Sequence, residues 1–155
     1  MVGMLEPALV HVFDLSVNVA PAQELGDCNG GRRRVIPIIG GTLVGAEVSG
    51  TVLAGGADWQ TIRSDGVTLL QARYTVQMHD GQIVGIVNTG IRTAPPDIVR
   101  RLTAGEAVDP KLYYFRATPF FETGPGPYQW LTEHVFVCAG ERLATLVRLR
   151  VYRVT

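Results

Sequence analysis

At 155 residues the chain suits one domain, spanning 1–155, that can bury about two-thirds of the surface its unfolded form exposes. Hydrophobic residues make up 46% and charged residues 18%, a balance that excludes a disordered chain. The formal net charge of zero excludes the basic footprint of a nucleic-acid or anionic-membrane binder.

The first segment, Met1 to Val19, has no basic n-region and carries Glu6, His11 and Asp14, so it does not read as a signal peptide. No apolar run approaches the roughly eighteen residues of a membrane helix. Cys28 and Cys138 make neither a disulfide framework nor a zinc site, so a cytoplasmic protein without a membrane partner is expected. The first predicted strand is Leu9–Val17, followed by Arg34–Ile38 and a long one at Thr42–Leu53. In the last of these, Gly45 and Gly50 suggest bends or bulges at a barrel corner.

Next comes the sharpest local pattern. Asp65-Gly66 separates a run around Trp59–Arg63 from Thr68–Met78, and Asp80-Gly81 separates Thr68–Met78 from Gln82–Thr89. Asp-Gly favours tight hairpin turns, so these three strands should form a meander. In Thr68–Met78, Leu70, Ala72, Tyr74, Val76 and Met78 share one face, and Gln71, Arg73, Thr75 and Gln77 the other. That alternation marks a strand with one face on a core.

Pro95-Pro96-Asp97 then opens a segment with apolar residues at helical spacing, closed by Gly105, and predicts one short helix near 95–104. In Leu112–Glu122 the face of Tyr113, Phe115, Ala117 and Phe121 opposes that of Tyr114, Arg116 and Thr118. Two further strands are predicted, Glu133–Cys138 and one carrying Leu143, Val147, Leu149 and Val151, joined by a hairpin at Ala139-Gly140-Glu141. About 8–10 antiparallel strands with hairpin connections hide their edges best by closing. The predicted fold is an all-β, calycin-like closed barrel, with a two-sheet sandwich as the alternative.

Strong catalytic motifs are missing. Ser16, Ser49 and Ser64 sit in no nucleophile elbow, and His11, His79 and His134 lack metal-ligand spacing, so neither a metal nor a cofactor is expected. What stands out are polar and aromatic residues set in apolar strands. Asp58-Trp59 follows Gly55-Gly56-Ala57, which places a carboxylate and an indole where the backbone can approach a ligand, or simply caps a turn beside the core. Tyr74 lies on an apolar face, Asn88 is polar in an apolar strand, and Glu122 after Phe120-Phe121 is either at the rim or paired. Trp130, after Tyr128-Gln129, could lid a pocket or plug the barrel end. Of fourteen cationic residues only Lys111 is a lysine, and Arg73, Arg92, Arg116, Arg148 and Arg150 read as solvent-facing or interfacial unless a subset meets an anion.

Taken in order, Gly55-Gly56-Ala57-Asp58-Trp59, Asp65-Gly66, Ala72-Arg73-Tyr74, Asp80-Gly81, Asn88-Thr89-Gly90, Tyr114-Phe115-Arg116, Phe121-Glu122-Thr123 and Trp130-Leu131 resemble the DUF3237 (UPF0311) family. The resemblance runs from about Leu9 to Tyr152. It implies a small bacterial or fungal β-barrel from a family of unknown function, and brings no established catalytic set.

Three functions fit. The first is a cofactor-free lyase, isomerase, hydratase or cyclase for a small, partly aromatic metabolite. Asp58 and Glu122 would serve as acid or base with Tyr74 as donor, and Trp59, Arg73, Asn88, Tyr114 and Trp130 would bind the ligand. The second is a non-catalytic carrier of a small hydrophobic ligand, and the third an interaction module with a filled barrel. A homo-oligomer is expected in each case.

Overall fold

Asp-Gly pairs set the register at the centre of the sheet. Gly66 and Gly81 adopt φ of +89° and +93°, and their N–H groups close tight turns onto the Arg63 and Met78 carbonyls at 2.9 and 2.8 Å. A side chain would strain that left-handed backbone, so glycine ends each turn. The fold is seen in a computed structural model describing residues 3–155.

Its strands are β1 (Leu9–Val19), β2 (Gln23–Cys28), β3 (Gly31–Gly45), β4 (Ser49–Val52), β5 (Gly56–Ile62), β6 (Thr68–Met78), β7 (Ile83–Thr93), β8 (Tyr114–Glu122), β9 (Val135–Arg142) and β10 (Leu146–Val154). One helix, α1 (Pro96–Thr103), follows β7. None of the described helices is long and apolar enough to cross a membrane.

Antiparallel pairing runs from β1 through β10, β9, β8, β7 and β6, and then through β4 and β5 to β3. Pairing of Phe13–Val19 with Gly45–Ile38 returns the sheet to β1 and closes the barrel. β4 and β5 share one position in the ring, because β4 pairs the Val76–Met78 end of β6 and β5 the Thr68–Arg73 end. The result is an eight-strand barrel with two extra strands, one of them β2 on the early part of β3.

Two predicted boundaries are corrected. Thr42–Leu53 is two strands rather than one bent strand, since the Gly45 N–H donates to the Val48 carbonyl at 2.8 Å and reverses the chain. Ala139-Gly140-Glu141 lies inside β9, and the turn comes later, where the Leu143 N–H donates to the Leu146 carbonyl at 2.8 Å. Gly140 is required for packing, because a Cβ there would stand 2.7 Å from the Phe115 ring. β2 was not anticipated from the sequence: Gln-Glu-Leu-Gly-Asp-Cys lies mostly exposed at an edge, so no alternation marks it.

Inward-facing residues divide the barrel interior into two halves along its axis. One half is solid. Phe13 meets Phe121 edge-on at 5.9 Å, Phe121 meets Phe136 at 5.0 Å, and Trp130 tilts onto Phe136 at 5.9 Å. Val76, Met78, Val84, Leu43 and Val151 fill the space around them, and Tyr128 and Leu131 close that end. Each buried aromatic or branched side chain contributes about 1.5–3 kcal/mol of transfer free energy, and an edge-to-face pair roughly 0.5–1.5 more. The other half contains a cavity.

Candidate active site

Two adjacent cross-strand rungs build the site. The first carries Ile36, Asp58, Ala72 and Asn88 across β3, β5, β6 and β7. The next carries Arg34, Gln60, Leu70, Gly90, Ala117 and Cys138 across six strands from β3 to β9. Since side chains two apart along a strand share a face, these rungs stack inside the barrel. Arg92, in register with Thr68 and Phe115, adds a third layer toward the mouth, and Arg142 joins it from the end of β9. All of these but Arg34, Thr68, Gly90 and Cys138, together with Tyr74 and apolar residues such as Val17, Ile38 and Leu149, line a cavity of about 40 Å³. That is room for a few waters at roughly 10–15 Å³ each, or for one group of a ligand.

The carboxyl of Asp58 is held by a hydrogen-bonded chain. Arg34 Nε donates to Gln60 Oε1 at 2.7 Å, Gln60 Nε2 donates to Asp58 Oδ2 at 2.7 Å, and the Gln71 N–H donates to Asp58 Oδ1 at 3.1 Å. Gln60 is fully buried, so this orientation is fixed by packing as well as by hydrogen bonds. Burial pushes the Asp58 carboxyl above the ordinary 3.8, outweighing the Gln60 hydrogen bond and the pull of Arg92. A carboxylate has about four acceptor positions, which leaves Asp58 capacity toward the cavity.

Two atoms of this half lack partners. The Tyr74 hydroxyl and Asn88 Oδ1 are buried with no hydrogen bond among the described residues. Leaving a buried polar atom unpaired costs about 1–3 kcal/mol, so such atoms mark a water or ligand site. Asn88 spends its amide N–H on Cys138 Sγ at 3.7 Å, a weak partner. Burial raises Tyr74 far above its ordinary value, which fixes it as a neutral O–H donor. It also raises the Cys138 thiol to about 11, which keeps that group from acting as a thiolate nucleophile at neutral pH. Arg92 is pressed down to about 10 by burial and then by the neighbouring Arg142 and Arg34 guanidiniums, and stays charged. Among the described residues no cluster of His, Cys, Asp and Glu could hold a metal.

The sequence candidates separate into groups. Asp58, Tyr74 and Asn88 share the cavity. Trp59, Arg73 and Glu122 face outward by strand parity and line one groove on the outer surface, over Gly56 and Gly85. Asp58 and Glu122 therefore do not meet in one cavity. Tyr114 is exposed on the outer face of β8 beneath Arg116, whose guanidinium lies 5.3 Å from its ring. Trp130 packs in the solid half. Arg92 is corrected from a solvent-facing position to the cavity, because it continues the inward series Val84, Ile86, Asn88 and Gly90. Gln60, Arg34 and Arg142 were not singled out. The parity of Phe136, Cys138 and Gly140 would have pointed Arg142 inward had β9 been carried past Ala139.

The sequence profile described as a protein of unknown function (DUF3237) matches residues 7–154. The chain belongs to the DUF3237 family. A UPF0311 protein of Bradyrhizobium diazoefficiens is 45% identical over 144 residues, covering 93% of this chain and 94% of that one. The crystal structure of a conserved protein of unknown function from Rhodopseudomonas palustris superposes with a TM-score of 0.95 at 39% identity, over 98% of this chain and all of that one. A β-barrel-like protein from Acinetobacter baumannii superposes with a TM-score of 0.87 at 35% identity, over the full length of both chains. A protein from Penicillium herquei described as an enzyme gives a TM-score of 0.69 at 19% identity, over 97% of this chain and 99% of that one, and shares the fold.

Proposed function

We propose that the hollow half of the barrel binds a small, partly apolar metabolite and catalyses a cofactor-free proton transfer on it. The observation that supports this is one cavity holding a desolvated carboxyl, Asp58, beside two unpartnered buried polar atoms, on Tyr74 and Asn88. Burial brings a carboxyl toward the range where it can both take and return a proton near neutral pH. The Asp58 carboxylate would remove a proton from carbon or hydroxyl of the substrate. The Tyr74 O–H would donate to the oxygen where negative charge develops, and Asn88 Oδ1 would accept from a substrate N–H or O–H. Return of the same proton from Asp58 to another substrate atom completes an isomerisation, and its return to a departing hydroxyl, whose C–O bond breaks as water leaves and a C=C bond forms, completes an elimination (the reverse is an addition of water), with no electrons exchanged. Arg34 would position Asp58 through Gln60, itself part of the cavity wall. The same fold houses an enzyme in Penicillium herquei.

A carrier without chemistry is the second reading, favoured by the apolar wall of Val17, Val19, Ile36, Ile38, Leu70 and Leu149. The two are separated by equilibrating wild type and Asp58→Asn with a bacterial metabolite extract, following retained masses by native mass spectrometry and identifying the released ligand by chromatography and NMR, because an isomerisation leaves mass unchanged. An enzyme would retain the ligand in both proteins and convert it only in wild type. Retention without conversion in both would establish the carrier, and no retention in either would overturn both readings.

A further inference from the structure

Charge in the cavity is unbalanced. Arg92 and Arg142 both line it, and among the described residues neither guanidinium makes an ion pair or a hydrogen bond. Arg34, just behind them, reaches Glu24 only at 4.0 Å and otherwise serves Gln60. Among the described residues the one acid lining the cavity is Asp58, and both of its oxygens already accept hydrogen bonds from Gln60 and Gln71. Exposed arginines elsewhere are solvated or paired, as Arg150 is with Asp14 and Arg148 with Glu141. Arg92 and Arg142 line the same cavity and are partly withdrawn from solvent, Arg92 facing the Arg142 and Arg34 guanidiniums and Arg142 that of Arg34, so a bound anion would relieve both the repulsion and the desolvation.

We propose that the ligand carries a carboxylate, held between the Arg92 and Arg142 guanidinium groups at the mouth, with its other polar end at Tyr74 and Asn88. This rests on the cavity being a ligand site and adds the chemical class of what enters it. Two planar forks suit the two oxygens of a carboxylate. The Arg92 guanidinium already lies 5.7 Å from the Phe115 ring centre, which steadies its plane. Phosphate fits less well, because every lining residue lies on a strand and none belongs to a glycine-rich loop or helix N-terminus. At the other end, the Tyr74 O–H needs an acceptor and Asn88 Oδ1 needs a donor, which a hydroxyl supplies together. Asn88 and Arg92 stand four residues apart on β7, roughly 13 Å between Cα atoms at 3.3–3.4 Å per residue. Side-chain reach shortens that span to about one ring, which would sit at the open mouth with only its hydroxyl end in the enclosed 40 Å³. The substrate class is a ring-sized hydroxy acid.

The test uses 4-hydroxybenzoate, its neutral isostere 4-hydroxybenzamide, and inorganic phosphate, titrated at pH 7 by NMR or calorimetry. Wild type, Arg92→Gln, Arg142→Gln, Arg92→Lys and Tyr74→Phe are compared, with circular dichroism confirming that each is folded. The acid should bind wild type at least about tenfold more tightly than the amide, the worth of one charge-assisted hydrogen bond. Both glutamine variants should lose that preference and Arg92→Lys should keep part of it, while Tyr74→Phe should weaken acid and amide alike. Equal binding of acid and amide, or a preference that survives in both glutamine variants, overturns the carboxylate and leaves the cavity reading standing. Tighter binding of phosphate than of the acid also overturns it. If neither organic probe binds wild type, the carboxylate and the cavity reading fall together.

Discussion

The two halves of the barrel interior are built by the same strands with the same inward parity, yet one is solid and the other hollow. On β6 the solid half presents Val76 and Met78 where the hollow half presents Ala72. On β7 the pair is Ile86 and Gly90, on β8 Phe121 and Ala117, and on β9 Phe136 and Gly140. Four neighbouring strands thus exchange a large residue for a small one at the same end; at Gly140 the space goes to the Phe115 ring, and the rest of that half holds Asp58, Tyr74, Asn88, Arg92 and Arg142. The solid half supplies stability through close packing. The hollow half carries unpaired polar atoms and crowded cations that cost stability, a sign that it is kept for binding or chemistry.

The contrast can be broken from either side. The largest effect belongs to Asp58→Asn, which should reduce turnover of the retained metabolite by about 10²–10⁴-fold while leaving the fold intact. Because burial raises the Asp58 pKa, the carboxylate appears only above the ordinary range, and the acid limb of kcat/KM should lie above 3.8. The folded state holds this proton to a higher pH than the unfolded chain. The contribution of Asp58 is therefore fullest below 3.8 and lost as pH rises through the raised value. Calorimetry should show the Tm of wild type, relative to Asp58→Asn, falling over that window. A difference that stays flat with pH would mean that Asp58 is solvated.

Phe136→Ala attacks the solid half and should cost about 3–5 kcal/mol by chemical denaturation, since Phe121 and Trp130 lose a shared partner. A loss below about 1 kcal/mol would show that this half is not close-packed. Tyr74→Phe removes an unsatisfied hydroxyl, so stability should change by less than about 1 kcal/mol or rise, while ligand binding weakens. Destabilisation beyond that would reveal a partner for the hydroxyl inside the protein. The smallest effect is expected for Glu122→Gln on the outer face: within about 0.5 kcal/mol in stability and nothing in turnover. A large loss of turnover would move the site to the outer groove.

Much of the fold was legible because alternation and Asp-Gly turns are local signals. β6 matched its predicted span, Thr68–Met78, to the residue, and its neighbours followed from the two turns. Where the chain departs from local rules, the sequence misled. Gly140 looked like a turn residue because glycine usually is one, whereas here it makes room for the Phe115 ring. The exposed β2 carries no period to detect. Asp58, Tyr74 and Asn88 were visible as polar residues out of place in apolar strands. Their convergence depends on the register of β5, β6 and β7, which brings Asp58, Ala72 and Asn88 into one rung. Arg92 followed the inward parity of its strand, but its charge argued for solvent, and only the small residues on neighbouring strands leave a buried place for it.

Ala72→Leu tests the hollow half most directly. That substitution fills the centre of the Asp58–Ala72–Asn88 rung without removing a polar group, at a cost of about 1–3 kcal/mol for overpacking. Native mass spectrometry after equilibration with a metabolite extract should find a ligand on wild type and none on folded Ala72→Leu. Equal occupancy of the two proteins would contradict the claim that the hollow half of the barrel is the binding site.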